Sequence, residues 1–580
     1  MGFLAYGNVV RHPFVHDDVI FILYNPHIAD LRNLWSIFLE PFWLASASSL
    51  INLYHRPLLE VVYRLEYALF GFDASGYHLL NILLHIANAV YLLAILSRIF
   101  RKGNLPLLAS IFFLIHPIQT EAVACISGIS NLLSAFFILG SFYIYLSVRQ
   151  GKAAASFGFR YFLSFILFIL ALLTKEQMII FPLLLVCYEW YSSDSSPAGK
   201  RRYIPAAAFF LISIAYILLR KVIVGEGMPN LLANPLELGL RILAIPQTLL
   251  MYGQLLIFPV DLHYYRSTDV LASSWSTPIV FLFVLLTMGG VIYQARGEEK
   301  KRLIFGLAWF FIFLFPTLNI VPLIIEYSHI STAEHFLYLP MAGSVVFFLT
   351  AIERPLKFFL KNWRQRAGLL AGVVIILLAA TARQNTYWRG EIPLFERTTH
   401  YEKKMARVYI LLAKAYYFDG RMDQASAAYH QALRIVQRYL QEALTPSTRN
   451  YYLGLAKGIY FDLANCYEQK GDFLMAVRQY ASALRIDPRD SVIYNNLGRN
   501  YWNIKNYKAA VSHFQKALEL NPKNFLAMNN LALCYIEEGR WQEAEVLLRE
   551  ALAINNQFIP AQKNLESLLH KASRQEHQPY

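Results

Sequence analysis

Residues 491–524 read SVIYNNLGRNYWNIKNYKAAVSHFQKALELNPKN, with Leu497, Gly498, Tyr501, Ala510, Phe514, Ala517 and Pro522 at spacings that return every 34 positions. The next unit, 525–558, answers with Leu531, Ala532, Tyr535, Gly539, Ala544 and Ala551. The preceding unit, 457–490, carries Leu463, Ala464, Tyr467, Gly471, Ala476, Ala483 and Pro488. A more divergent unit at 406–439 keeps Tyr416, Gly420, Ala425 and Ala432, and about 440–456 interrupts the array. Small residues let paired helices approach and large ones fill the gap, so each unit buries its face on its neighbour. Residues 406–580 are therefore predicted to form an α-solenoid, an architecture for binding rather than for chemistry.

The spacing is that of tetratricopeptide (TPR) repeats. Asn496 and Asn530 occupy the sixth position of their units, with Asp462 equivalent. A side-chain amide there can donate to and accept from a peptide backbone at once. The alternative is a tolerated, solvated polar residue.

Ahead of the repeats the chain changes character. Of 580 residues, 56% are hydrophobic and only 16% charged, with mean hydropathy +0.36, 41 Phe and 37 Tyr. Soluble proteins carry about 25% charged residues, and aromatic enrichment suits repeated crossing of the lipid–water interface. Residues 1–382 are predicted to be a polytopic membrane bundle, 383–405 a linker, and the whole chain all-α. The net charge of +14 lies mainly in short clusters between apolar runs, a signature of topology rather than of nucleic-acid binding. Cys125, Cys187, Cys466 and Cys534 form no C-x-x-C pair and imply neither metal nor disulfide.

Ten apolar stretches are candidate spans: about 77–97, 105–117, 131–148, 159–174, 177–193, 203–223, 276–295, 303–325, 335–353 and 367–382. Basic clusters sit between them: Arg98/Arg101/Lys102, Arg149/Lys152/Arg160, Lys200/Arg201/Arg202, Arg296/Lys300/Lys301/Arg302, and Arg354/Lys357/Lys361/Arg364/Arg366. Placing all five in the cytoplasm satisfies the positive-inside rule. A first loop at about 11–76 and the repeats then lie outside the cytoplasm. The stretch 236–258 contains Arg241, Pro246, Gln247 and Gln254 and reads as re-entrant or interfacial. An eleventh helix, encoded upstream, is expected to precede the short segment before Asp17.

Ionisable groups in or beside membrane segments are costly and are functional candidates by default. The adjacent Asp17 and Asp18 lie in the first loop with Arg56; His116 and Glu121 fall in HPIQTE, Lys175 and Glu176 in LLTKEQ, and Glu334 and His335 in AEHFLYLP. Charge placement puts all of them on one face. A carboxylate can deprotonate a hydroxyl acceptor while cations hold a phosphate leaving group. Simpler readings stand beside this one: an N-cap or solvated turn for Asp17–Asp18, an interfacial helix-end pair for Lys175–Glu176, and a helix stop for His116 before Pro117. His78, Asn81, His85 and Asn88 make a polar stripe suited to interhelical hydrogen bonding. No metal site is predicted, because the two acids have no further ligands in their segment.

FVHDDVIFILYNP, YHRPLLEVVYRLEYALFGFDASGYHLLNILLH, FFLIHPIQTEAVACISGISNLLSAFFILGSFYIYL, LLTKEQMIIFPLLLVCYEW and AEHFLYLPMAG follow in that order and precede the repeats. In this the chain resembles the transmembrane and TPR-repeat O-mannosyltransferases and their bacterial relatives, of the GT-C superfamily. The resemblance implies an inverting enzyme of the bacterial inner membrane or an equivalent one. It would move a monosaccharide from a polyprenyl-phosphate carrier to a hydroxyl of an extracytoplasmic acceptor, with the repeats binding acceptor polypeptide or partner. It implies that Asp17 or Asp18 is the catalytic carboxylate, that Arg56, Lys175 and His335 bind donor phosphate, and that His116, Glu121, Glu176 and Glu334 belong to the site. No cofactor beyond the lipid-linked sugar is implied, and a divalent-metal requirement stays open. The family's Gly-Arg-x-Asp element reads Gly128, Ile129, Ser130, Asn131 here, and its Glu-Arg reads Glu334, His335. That loss of charge supports an alternative function, a catalytically inactive membrane-anchored TPR scaffold for protein-complex or envelope assembly; a third reading is an enzyme acting on a glycan or lipid acceptor, with the repeats binding an assembly partner.

Overall fold

A computed structural model describes residues 1–32, 34–40, 55–101, 103–150, 157–192, 202–224, 235–267, 276–318, 331–442 and 446–576. Lys102, Lys152, Lys200 and Arg201 of the basic clusters, and 319–325 of one candidate span, lie outside the described residues. The chain divides into two compact units, Met1–Glu402 and Lys403–Tyr580.

Among the described residues the regular structure of the first unit is helical, apart from two paired two-residue strands, β1 (Arg266–Ser267) and β2 (Ser331–Thr332). Its helices are α1 (Gly2–Tyr6), α2 (Pro57–Phe70), α3 (Ala74–Ile99), α4 (Leu105–Ile115), α5 (Thr120–Ala124), α6 (Ile129–Gln150), α7 (Phe157–Thr174) and α8 (Phe181–Tyr191). There follow α9 (Ile204–Val224), α10 (Pro235–Ile257), α11 (Ser276–Gln294), α12 (Gly297–Leu314), α13 (Pro340–Phe359), α14 (Trp363–Asn385) and α15 (Glu391–Tyr401). Aromatic rings fill its core: Phe113, Phe142, Phe168, Phe181, Phe209 and Trp309 are all buried. At the crossing of α12 and α13 the backbones touch. A Cβ on Gly306 would meet the Gly343 carbonyl oxygen at 2.8 Å, and one on Gly343 the Gly306 oxygen at 2.5 Å, the small-residue contact typical of membrane helices.

All ten predicted spans are largely helical, but the expected count of ten or eleven crossings is not met helix for helix. Among the described residues six helices are long and apolar enough to cross a membrane, or seven if α4 and the segment Pro117–Ala124, bent by 51°, form one span. The rest fall short for local reasons. α8 has 11 residues behind a five-residue 3-10 turn, and α13 carries Glu353, Arg354 and Lys357. α10 is one continuous helix through Pro246, and among the described residues its apolar part, Ile242–Ile257, is shorter than a span. The breaks coincide with proline, which has no N–H to give a preceding turn and fits the first turn of a new helix. Pro57, Pro182 and Pro340 stand in the first turns of α2, α8 and α13, and Pro117 opens the turn after α4.

The predicted linker is structured. Residues 383–385 end α14, a 3-10 turn covers Thr386–Trp388, and α15 follows, all within the first unit. Its sequence lacks an apolar run because α15 buries only Leu394, Phe395 and Thr398.

The second unit is a run of helix pairs: α16 (Ala406–Phe418) and α17 (Met422–Glu442), α18 (Pro446–Gln469) and α19 (Phe473–Ile486), α20 (Ser491–Asn503) and α21 (Tyr507–Leu520), α22 (Phe525–Glu537) and α23 (Trp541–Ile554), then α24 (Ile559–Glu576). The interruption at 440–456 lengthens α17 and α18, which have 21 and 24 residues. Each first helix ends in a left-handed residue: Gly420, Gly471 and Gly539 at φ +79°, +75° and +77°, and Lys505 at +63°. Only glycine takes that conformation without steric penalty. Asp472, Asp490, Asn506 and Asn524 cap the helices that follow them.

Candidate active site

The two adjacent acids have different surroundings. Asp18 is 1% exposed and fully engaged. Its Oδ1 accepts from the Ser127 N–H (2.7 Å) and the Cys125 thiol (3.4 Å), and its Oδ2 from the N–H groups of Val15 (3.1 Å) and Ile126 (3.3 Å). Burial pushes its carboxyl up to about 6, against the N–H bonds from Ser127 and Val15. Asp17 keeps 41% of its side chain exposed; its Oδ1 lies 3.4 Å from His16 Nε2, and its Oδ2 accepts from the Tyr264 hydroxyl at 3.4 Å. One carboxylate ties the first loop to the 3-10 turn Ile126–Gly128, and its neighbour is left facing outward.

That turn depends on Gly128, where a Cβ would sit 2.3 Å from the Ala122 carbonyl oxygen. Gly128→Ala is expected to displace the turn and its grip on Asp18. Overpacking of this kind costs about 1–3 kcal/mol, and a lowered Tm of the detergent-solubilised protein measures it.

Cations approach from three elements. Arg56, just before α2, binds Glu176 through two parallel bonds, Nε to Oε2 at 2.9 Å and Nη2 to Oε1 at 2.7 Å. Burial alone would raise Glu176, yet Arg56, with Arg220 behind it, brings it down to about 2. Lys175, 4% exposed, donates to Asn131 Oδ1 at 2.5 Å and lies 6.0 Å from the centre of the Phe336 ring. Burial first, then Arg56, pushes its ammonium down to about 7. Arg220 closes the buried stripe Ala206, Phe209, Ser213, Tyr216, Arg220 of α9, and Ser213 Oγ donates to the Ile179 carbonyl beside Glu176.

The remaining candidates are held in pairs. Glu121 Oε2 accepts from the His335 N–H (2.9 Å) and its Oε1 pairs with His335 Nδ1 (2.8 Å). Glu334 Oε1 accepts from the His263 N–H (2.6 Å) and from Arg266 Nη2 (3.0 Å). His116 stands apart: its Nδ1 accepts from the Ile118 N–H (3.1 Å) and its Nε2 pairs with the Leu256 carbonyl (3.2 Å). It serves the helix break itself. In the polar stripe on α3, His85 pairs with the Tyr338 hydroxyl (2.8 Å), Asn81 donates to the Cys125 carbonyl (3.0 Å) and Asn88 to the Leu132 carbonyl (2.9 Å). These are bonds between elements. No three or more His, Cys, Asp or Glu among the described residues gather where a metal ion could be held.

Asp17, Arg56, Glu121, Lys175, Glu176, Glu334 and His335 thus belong to segments linked by hydrogen bonds, ion pairs or ring contacts. Sequence reasoning missed Tyr264, Arg266, Arg220 and the partnership of Asn131 with Lys175. The run HYYR at 263–266, polar and aromatic beside an apolar stretch, was the available signal for the first two.

In the repeats the groove residues join a chain of side-chain amides. Asn564 Nδ2 donates to Asn529 Oδ1 (2.8 Å), Asn529 to Asn530 (3.5 Å), Asn530 to Asn495 (3.0 Å) and Asn495 to Asn496 (3.4 Å). Asn496 in turn donates to the Tyr480 hydroxyl (3.3 Å). Asp462, 24% exposed in its side chain, lies 3.9 Å from Lys414 Nζ.

Tetratricopeptide-repeat family models match residues 406–435, 458–490 and 504–569. A protein O-mannosyl-transferase of Caenorhabditis elegans is 27% identical over 455 residues, covering 76% of this chain and 62% of its own. A human protein O-mannosyl-transferase is 26% identical over 495 residues, covering 75% of this chain and 54% of its own. The chain therefore spans between half and two thirds of the length of these curated relatives. The crystal structure of MamA is similar to 30% of this chain and 94% of its own, at 15% identity and a TM-score of 0.25.

Proposed function

We propose that this membrane protein is an inverting glycosyltransferase of the protein O-mannosyl-transferase kind, taking its sugar from a polyprenyl-phosphate carrier. The observation that carries the reading is the contrast among its charges. Arg56 is matched by Glu176 and His335 by Glu121, while Lys175 donates to the neutral Asn131. A buried ammonium that hydrogen-bonds an amide, while Glu176 and Glu121 act on it through their charge alone, suits an anion that comes and goes, as a lipid phosphate does. The relatives named above, similar over about three quarters of the chain, support the sugar and the protein acceptor.

In this reading the exposed Asp17 takes the proton of the acceptor hydroxyl as its oxygen attacks the anomeric carbon. The bond from that carbon to the phosphate oxygen breaks on the opposite side. Lys175 meets the charge that develops on the departing polyprenyl phosphate, and Arg56 with Glu176 forms the wall beside it. Each such donor contributes a few kcal/mol when aimed at developing charge. Asp18 holds the loop. The five basic clusters support an extracytoplasmic placement for this chemistry and for the repeats. The amide chain on the repeats supports polypeptide as the acceptor or partner, because a side-chain amide has more hydrogen-bonding capacity than the bonds within the chain use.

The test uses the purified full chain, radiolabelled mannosyl-polyprenyl phosphate and Ser/Thr-containing peptides. Label released from peptide by alkaline elimination supports the proposal. Equal transfer from a soluble nucleotide sugar overturns the lipid donor, and a chain that labels nothing is the scaffold. In the same assay Asn530→Ala removes one rung of the amide chain. A net hydrogen bond is worth about 0.5–1.5 kcal/mol, so peptide KM should rise by about twofold to tenfold with donor KM unchanged.

A further inference from the structure

We propose that Glu391 and His16 are positioning residues for the carboxylate of Asp17, acting from a helix that the sequence presents as a linker. The inference rests on the reading of Asp17 as the base. Glu391, the first residue of α15, accepts through Oε1 from the backbone N–H of His16 at 3.1 Å, across 375 residues of sequence. His16 has φ +53°, a left-handed conformation that residues with a side chain adopt sparingly and that gathers at functional sites.

The histidine ring is locked as well as the backbone. It meets Tyr264, Tyr265 and Phe395 edge to face, at centroid distances of 5.3, 6.2 and 5.5 Å, and its side chain is only 10% exposed. Phe395 comes from the same helix as Glu391, one turn further on, so α15 grips both the main chain and the ring of residue 16. The His16 carbonyl accepts from the Val19 N–H at 3.1 Å, and Nε2 lies 3.4 Å from Asp17 Oδ1.

Asp17 therefore stands between two pinned neighbours. Asp18 is fixed by the turn at residues 125–127, and His16 by α15. With both flanking residues immobilised, the direction of the Asp17 side chain is set by groups that take no part in the proton transfer. A misplacement of about 1 Å at a reacting group can reduce the rate about a hundredfold, which is ample reason for two anchors.

The experiment measures kcat, KM for mannosyl-polyprenyl phosphate and Tm on full-length Glu391→Ala, Glu391→Gln, His16→Ala and Asp17→Asn. Glu391→Ala and His16→Ala are expected to lower kcat by tenfold to about a hundredfold with donor KM within about twofold. Glu391→Gln should keep most of the activity, because its amide oxygen accepts the same N–H. Unchanged kcat in Glu391→Ala, beside an inactive Asp17→Asn, overturns the positioning role and leaves the base assignment standing. Full activity in Asp17→Asn overturns the base assignment itself. Glutamine that fails to rescue, at unchanged Tm, also overturns the role of this hydrogen bond. If Glu391→Ala does not accumulate, Glu391→Asp, one methylene short of the His16 N–H, is expected to show the same loss of kcat.

Discussion

Asp17→Asn leaves a folded protein that has lost sugar transfer by about a thousandfold, within the usual worth of a positioned general base. Asp18→Asn does the reverse. The Asp18 carboxylate receives three backbone N–H groups and a thiol, shared over both oxygens. An asparagine presents one oxygen and one NH2, so at least one buried N–H faces another donor. Leaving buried donors unsatisfied costs about 1–3 kcal/mol, and more where the partner was charged. Reduced yield and a lower Tm are the expected results at position 18, with any loss of transfer tracking loss of folded protein. Activity and Tm measured on both variants separate the roles. An Asp18→Asn protein of native Tm and no activity, beside an active Asp17→Asn, would exchange the assignments.

The second expected result is a pH profile. With its ammonium brought down to about 7, Lys175 is charged below neutrality and neutral above it. The profile of kcat/KM for the lipid donor reports groups of the free enzyme. It should fall as pH rises through about 7, because the neutral amine no longer attracts phosphate. Asn131→Asp places a carboxylate on the atom 2.5 Å from Lys175 Nζ. An opposite charge so close favours the ammonium and shifts such a group by about 1–3 pH units, so the descending limb moves to higher pH. Lys175→Gln removes the limb. A limb that Asn131→Asp leaves in place would mean that another group titrates there.

What sequence could supply followed from how local the cause was. The repeats were legible as repeats, since each unit is defined by contacts within about one period: Gly498 lies against Phe514, where a Cβ would meet the ring at 2.6 Å. The membrane helices were legible as apolar runs but their breaks were not. A hydropathy window averages across Pro182 or Pro340, whereas the chain stops and restarts there. The polar residues were found because charge is conspicuous in an apolar chain. Their roles were less visible, because three of the four partners of Asp18 lie more than 100 residues away and Glu391 contacts His16 across 375. Residues 383–405 read as a linker because α15 buries only three side chains and is otherwise held by scattered polar and ring contacts, Glu391 to the His16 N–H, Arg397 to the Leu262 carbonyl and Tyr401 on His263 among them.

The helices that restart at the site carry a further consequence. α2 begins directly after Arg56, α6 after the turn that binds Asp18, α8 after the turn opened by Glu176, and α13 after Glu334–Leu337. Each amino end, with the partial positive charge that a helix carries there, therefore adjoins a residue or turn of the candidate site in sequence. A helix dipole amounts to about half a unit charge at that end, and it has no proton to lose. The local field is thus more positive than a tally of side chains gives, and part of it does not depend on pH. Above neutrality, when Lys175 is discharged, the peptide backbone still favours an anion, so the alkaline limb should level off at a plateau rather than fall to zero.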